Sequence, residues 1–196
     1  MKYTKIPTDT FKNLQLNAGV LLESFDVSTQ TLAADSIIGA TSGGVSFTAV
    51  PSSIDFGEDI DNCPKGTKEM MHLDSWEAKM SGTFASVSKS LAKTLVGAAD
   101  LSGSKITPRN DFSAADFSDI WWVGDYSEIN EDGTSTGKAG FIAIHLLNSL
   151  STGGFSIQSN DKGKGQFEFE FTGHYSMEDQ DKVPFELYVQ EGTAAA

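Results

Sequence analysis

Cysteine and arginine are nearly missing from this chain, and each shortage closes off a class of structure or partner. Cys63 is the only cysteine in 196 residues, so neither an intrachain disulfide nor a multi-cysteine metal site is possible. Arg109 is the only arginine, and bidentate grips on phosphate and guanine depend heavily on that side chain. The 14 basic residues face 27 acidic ones, a formal charge of −13. Tight nucleic-acid binding and attraction to an anionic membrane are therefore both disfavoured. No apolar run exceeds about four residues, Phe141 to Ile144 being one, against the ~20 that cross a bilayer. The segment Met1–Asp9 is polar and lacks the apolar stretch of a secretory signal. Synthesis and folding in a reducing cytoplasm is the expectation.

What is present describes a self-sufficient globule. Hydrophobic residues make up 39% and charged residues 21%, too apolar and too weakly charged for a disordered chain. A chain of this length buries roughly 70% of the surface it exposes when unfolded. It reads as a single domain, 1–196, with a polar N-terminal arm (about 1–12) and a short C-terminal arm (190–196). Nineteen glycines, many Ser and Thr, and short apolar runs with period two predict a mainly β fold. The expected strands are Leu14–Phe25, Gly44–Val50, Met70–Phe84, Ile120–Tyr126, Lys138–Leu147, Gly165–Tyr175 and Phe185–Val189. Alternation is cleanest over Gln166–Thr172, where Phe167, Phe169 and Phe171 share a packed face and Glu168 and Glu170 a wet one. Lys138–Leu147 is apolar on both faces, as in a central strand. One segment, Ser86–Ala99, spaces Val87, Leu91, Leu95 and Ala98 by three or four residues and predicts an amphipathic helix. A sandwich or barrel with one flanking helix follows, with Phe167, Phe169, Phe171, Leu91 and Leu95 in its core.

Two stretches stand apart. Ser52–Lys68 carries Asp55, Glu58, Asp59 and Asp61 before any lysine, with Pro51 ahead of it and Pro64 within it. Loops longer than about 12–15 residues in compact domains are usually functional or disordered, and flanking strands make this one the expected tip of a long hairpin. Asn110–Gly137 holds seven more carboxylates and no basic residue, as a solvated face would.

Motifs for chemistry fail on context. Gly133-Thr134-Ser135-Thr136-Gly137 matches a nucleophile elbow, but no apolar strand precedes it and no helix follows. Gly133 with Gly137-Lys138 is one residue short of a phosphate loop, and Ala139 stands where its Ser or Thr belongs. His72, His145 and His174 have no metal-ligand neighbour at standard spacing; His145, in an apolar run, reads as a satisfied core histidine. Asp55–Asp61 does not follow EF-hand spacing. Glu168 and Glu170 are ordinary strand alternation and no glycosidase pair. No enzymatic activity, metal or cofactor is expected.

Taken in order, several segments are similar to a known family. They are Phe11–Leu22, then Thr41–Pro51 leading into the acidic loop, then Trp76–Phe84 running into the helix that ends Leu95–Ala99. Asp119-Ile120-Trp121-Trp122-Val123-Gly124-Asp125-Tyr126 and Phe167–Gly173 follow. The arrangement resembles the major tail tube proteins of long-tailed (siphovirus-type) bacteriophages and prophages, over roughly Phe11 to Val189. The resemblance lies in arrangement and segment flavour; the family has no short invariant motif.

It implies a structural virion protein, made in the bacterial host cytoplasm, that builds stacked homohexameric rings into a hollow tail tube. Part of each subunit's sheet would join its neighbours' in a continuous inner β-barrel, while a long hairpin and the terminal arms bridge adjacent rings. Carried over by position, Glu168, Glu170, Glu77 and Lys79 are candidates for the lumen. Asp55, Phe56, Glu58, Asp59 and Asp61 are candidates for the inter-ring arm. The implied partners are other copies of itself, tail tip or baseplate, tape measure and terminator proteins, and phage DNA passing without specific binding. Contractile tails and secretion-type tubes use related subunits. Arms of this kind make sense if they order only on assembly. The alternatives are another tail-completion protein or a carbohydrate-binding or adhesive β-sandwich, with Trp121, Trp122 and Tyr126 as stacking aromatics.

Overall fold

The computed structural model describes residues 14–126 and 140–190. The N-terminal arm (1–12), the Gly133–Gly137 motif and residues 191–196 of the C-terminal arm lie outside the described residues.

Among the described residues ten strands and one α-helix, besides three short 3-10 turns, follow in the order β1 (Gln15–Leu22), β2 (Ile37–Gly39), β3 (Thr41–Asp55), β4 (Met71–Phe84), α1 (Lys89–Val96), β5 (Ala99–Ser102), β6 (Lys105–Pro108), β7 (Ser118–Tyr126), β8 (Phe141–Ser151), β9 (Phe167–Thr172) and β10 (Phe185–Gln190). Eight strands form one hydrogen-bonded sheet, β2-β1-β7-β8-β9-β4-β3, with β10 beside β8; β5 and β6 form a separate hairpin. The pairings between these strands are antiparallel.

The sheet closes over itself because β8 changes partners along its length. Its first part pairs with β7 and β10, whereas Leu150 and Ser151 pair with β9. Just ahead of the change, before Ser149, which still pairs with Ser118 of β7, sits Asn148, with φ 46°, in the left-handed region that asparagine tolerates better than most residues. Strands that switch sheets at such a corner make the layered sandwiches. Both halves then face one core: Leu21, Ile120, Trp122, Ile144 and Leu146 from one, and Met80, Phe84, Phe167, Phe169 and Phe171 from the other. β8 is buried on both faces, as a central strand should be. Behind it a second cluster of Leu22, Trp121, Val123, Phe141 and Ala143 is covered by Phe25 and Val27.

Helix α1 plugs Leu91 and Leu95 into the main core. Ser88 Oγ accepts the Leu91 amide at 3.0 Å, satisfying one of the four donors that a helix start leaves open.

Several boundaries differ from expectation, each for a local reason. The helix stops at Val96 because Gly97 takes φ 82°; Ala98 lies beyond it and Val87 before it, exposed. The first strand ends at Leu22, where Glu23 turns away to donate its amide to Ser36, freeing Phe25 to cover the second cluster. β2, β5 and β6 are four residues or fewer, too short to show a period. Ser52–Lys68 is not one loop: β3 runs on through Asp55, and the rest is a folded tip. The segment is the end of a long β3–β4 hairpin.

Candidate assembly surface

The four residues expected in a lumen share one face of the β9-β4-β3 layer. Pairing sets them in rows: Ser81 opposite Ser46 and Glu170, Lys79 opposite Thr48 and Thr172, Thr83 opposite Glu168, and Glu77 opposite Val50. The residues between them point the other way. Ala78, Met80, Phe84, Phe167, Phe169 and Phe171 are buried, which forces every second side chain outward. Gly82 belongs to the inner set because a Cβ there would stand 2.9 Å from the Phe169 ring.

The outer face carries three carboxylates and one ammonium, and the ammonium is occupied. Lys79 Nζ lies 2.6 Å from Glu77 Oε1. Hydrogen bonding to Glu77, the charge of Glu77 and then that of Glu170 hold its pKa above the ordinary lysine value. Thr152 Oγ1 donates to Glu170 Oε1 at 3.0 Å. Glu168 is exposed and Glu170 half-buried. The surface is thus polar and net acidic, and Thr152 and Gly153 border it at Glu170. Beside it β3 offers a 15-residue strand whose outer edge pairs with no described strand.

The β3–β4 hairpin continues beyond the core. Its strands pair as far as Asp55 with Met71, through an irregularity at Ser52 and Ser53. The tip is folded around Asp55, whose carboxylate accepts the amides of Gly57 and Gly66, both at 2.8 Å. Those two bonds, Gly66 first, hold its pKa below the ordinary aspartate value. Of the expected arm residues, Asp55 is therefore a tip organiser. Glu58 pairs with Lys65 at 3.1 Å, and Asp59 and Asp61 pair with no described cation. Ile54, Phe56, Ile60, Met71 and Leu73 are all exposed there.

Elsewhere the chain's polar groups serve packing. His145 stands with each ring nitrogen against a carboxylate, Nε2 3.0 Å from Asp119 and Nδ1 3.2 Å from Glu186, and its ring stacks on Trp121 at 3.9 Å. It is a satisfied, mostly buried histidine that ties β7, β8 and β10 together. The Tyr188 hydroxyl donates to Glu186 at 2.6 Å, the first cause of a depressed Glu186 pKa and a raised Tyr188 pKa. Trp121 and Trp122 point to opposite faces and both are buried, at 8% and 9% exposure. The Trp122 indole donates to Ala18 at 3.0 Å, and Gly19, with φ 68°, makes the room: a Cβ there would meet the indole at 2.5 Å. Neither indole offers a sugar-stacking platform. Among the described residues no group of three or more His, Cys, Asp or Glu is placed to hold a metal ion, and no helix is long and apolar enough to cross a membrane.

Sequence reading located the acidic face but missed the length of the free edge. Residues 41–44 and 52–55 are mostly Gly, Ser and Thr and show no apolar period, so only pairing with β4 reveals them as strand. No protein-family model matches the chain, and no curated protein matches it.

Proposed function

We propose that this chain is a structural subunit that assembles with copies of itself into rings stacked as a hollow tube, as the tail tube proteins of long-tailed bacteriophages do. The observation that supports the reading best is the 15-residue edge of β3, which pairs with no described strand, bordering an acidic face. A long unpaired edge in an isolated subunit templates aggregation unless a partner strand covers it. Closing such edges around a ring removes them, as barrels do. The β9-β4-β3 outer face then becomes the inner wall, and Glu168, Glu170 and Glu77 face the lumen. DNA passing through meets carboxylates and one masked lysine, so no phosphate contact releases counterions and the polymer slides. The exposed tip of the β3–β4 hairpin reaches the adjacent ring. In this reading the chain acts in a virion, meets tail tip, tape measure and terminator proteins, and turns over no substrate.

Negative-stain microscopy of the purified, concentrated protein tests this directly. Rings or tubes with an open channel are the expected result. Monodisperse single subunits at every concentration and salt would sink it.

A further inference from the structure

His145 faces more acceptors than a neutral ring can serve. On β8 it lies opposite Trp121 of β7 and Glu186 of β10, with its side chain 12% exposed. Nε2 stands 3.0 Å from Asp119 Oδ2 and Nδ1 3.2 Å from Glu186 Oε2. Each carboxylate also accepts from another donor: Asp119 Oδ1 from the Asn148 amide at 2.9 Å, and Glu186 Oε2 from the Tyr188 hydroxyl at 2.6 Å. The Tyr188 bond is the first of the causes that hold Glu186 below the ordinary glutamate value, and so ionised. An ionised carboxylate only accepts, and a neutral imidazole has one N–H. One ring nitrogen would then aim a lone pair at an oxygen 3.0 or 3.2 Å away. The imidazolium donates on both sides. The Trp121 ring, stacked on it at 3.9 Å, offers a cation its π face.

The charges around the ring favour the same state. Besides Asp119 on β7 and Glu186 and Tyr188 on β10, the segment before β10 brings Lys182 to within 3.4 Å of Glu186. Glu178 and Asp179 of that segment line a pocket with Asp119 and Lys182. His174 lines it too, with Nδ1 3.2 Å from the Asn148 carbonyl. Carboxylates outnumber the lysine.

β10 is the strand this arrangement holds. Among the described strands it pairs with β8 alone. Its Phe185 ring meets Trp76 of β4 at 5.5 Å and Phe47 of β3 at 5.7 Å, so it also backs the β3–β4 hairpin. We infer that His145 is a proton-operated clasp. As a cation it ties β7 to β10 through Asp119 and Glu186; on losing a proton it gives up one tie, and β10 loosens. Histidine changes charge between about pH 5 and 8, so the second tie is present at the acid end of that window and lost as pH rises through it. The clasp belongs to the single subunit and does not depend on rings forming.

Hydrogen exchange and NMR of the full chain test it. Measured against the intrinsic rate at each pH, protection of the β10 amides should fall about tenfold from the acid to the alkaline end of that window, the worth of one charge-assisted hydrogen bond. Glu186→Gln should largely remove the fall, because a neutral ring can then donate to Asp119 and accept from the new amide. The ring nitrogens of His145, identified by their absence from His145→Gln, should carry two protons at the acid end and one at the alkaline end, with the midpoint of the loss of protection. A ring with one proton across the whole window would overturn the clasp. So would β10 protection that stays level with pH, or that falls as far in Glu186→Gln as in the parent.

Discussion

Asp116 shows what a single carboxylate does when the chain has one arginine to offer it. Its side chain is 1% exposed against Arg109, and it accepts from Arg109 Nη2 and the Ser113 amide at 2.6 and 2.8 Å. Arg109 Nε lies 3.1 Å from Asp100 without hydrogen-bond alignment, so the pair also anchors the β5–β6 hairpin to the segment before β7. Asp116→Ala should cost about 2 to 3 kcal/mol, at or below the lower end for a buried pair, because Arg109 is 26% exposed and keeps Asp100. Thermal melting measures it. The Ser113 amide first, then Arg109, depresses the Asp116 pKa below its ordinary value of 3.8. A depressed carboxylate contributes stability above its unfolded value and loses it as pH falls through the folded one. Below about pH 4 the native chain should therefore lose stability more steeply than Asp116→Asn, which cannot titrate. Asp55 follows the same sign at the hairpin tip. Measured against the intrinsic exchange rate at each pH, the protection of the Gly57 and Gly66 amides should fall as the pH drops through its depressed value, while core amides of β8 stay protected.

At the scale of elements, the β3–β4 hairpin divides into a part that folds the subunit and a part that does not. Up to Trp76 the inner residues of β4 stand over the core, where the Trp76 ring meets Phe185 edge-on at 5.5 Å. Beyond it Leu73 and Met71 are exposed, and the tip's hydrogen bonds are internal to residues 55–70. Replacing residues 56–70 by a two-residue turn should leave the body folded, since loop closure changes by only about 0.6 kcal/mol per doubling of length. Circular dichroism and melting should match the parent, and tube extension should be abolished. A collapse of the melting transition would show that the tip is part of the core. Helix α1 is the opposite case: Leu91 and Leu95, 3% and 0% exposed, are core wherever the helix is placed.

At the scale of the molecule, charge and edges belong together. A chain of net charge −13 repels its own copies, so in the proposed ring the pairing of β3 with a neighbour would have to overcome that repulsion, and added salt should promote assembly by screening it. In the proposed tube the same charge would keep DNA from binding the channel wall. Glu168→Lys with Glu170→Lys should still fold, because surface substitutions usually change stability by less than about 0.5 kcal/mol, and the one described side-chain hydrogen bond it removes is that from Thr152 to Glu170. Tubes of this variant should retain duplex DNA at low salt and release it as salt rises, read by co-sedimentation. Tubes that retain no more DNA than the parent would place these residues away from the channel.

The amino-acid order by itself determined the β class, the single helix and the faces of Gln166–Thr172, because each depends on neighbours two to four residues apart whose apolar spacing is written locally. It also determined the charge. Tertiary structure alone decided which strand is left at the edge, where β8 changes partners, and how β3 extends through the polar Ser52–Asp55. Those outcomes come from pairing between residues far apart in the chain: a serine-rich segment becomes strand only because β4 lies beside it to complete its hydrogen bonds. The surroundings of His145 have the same origin, since its two carboxylates are brought to the ring from β7 and β10, and no local pattern in either strand announces the meeting.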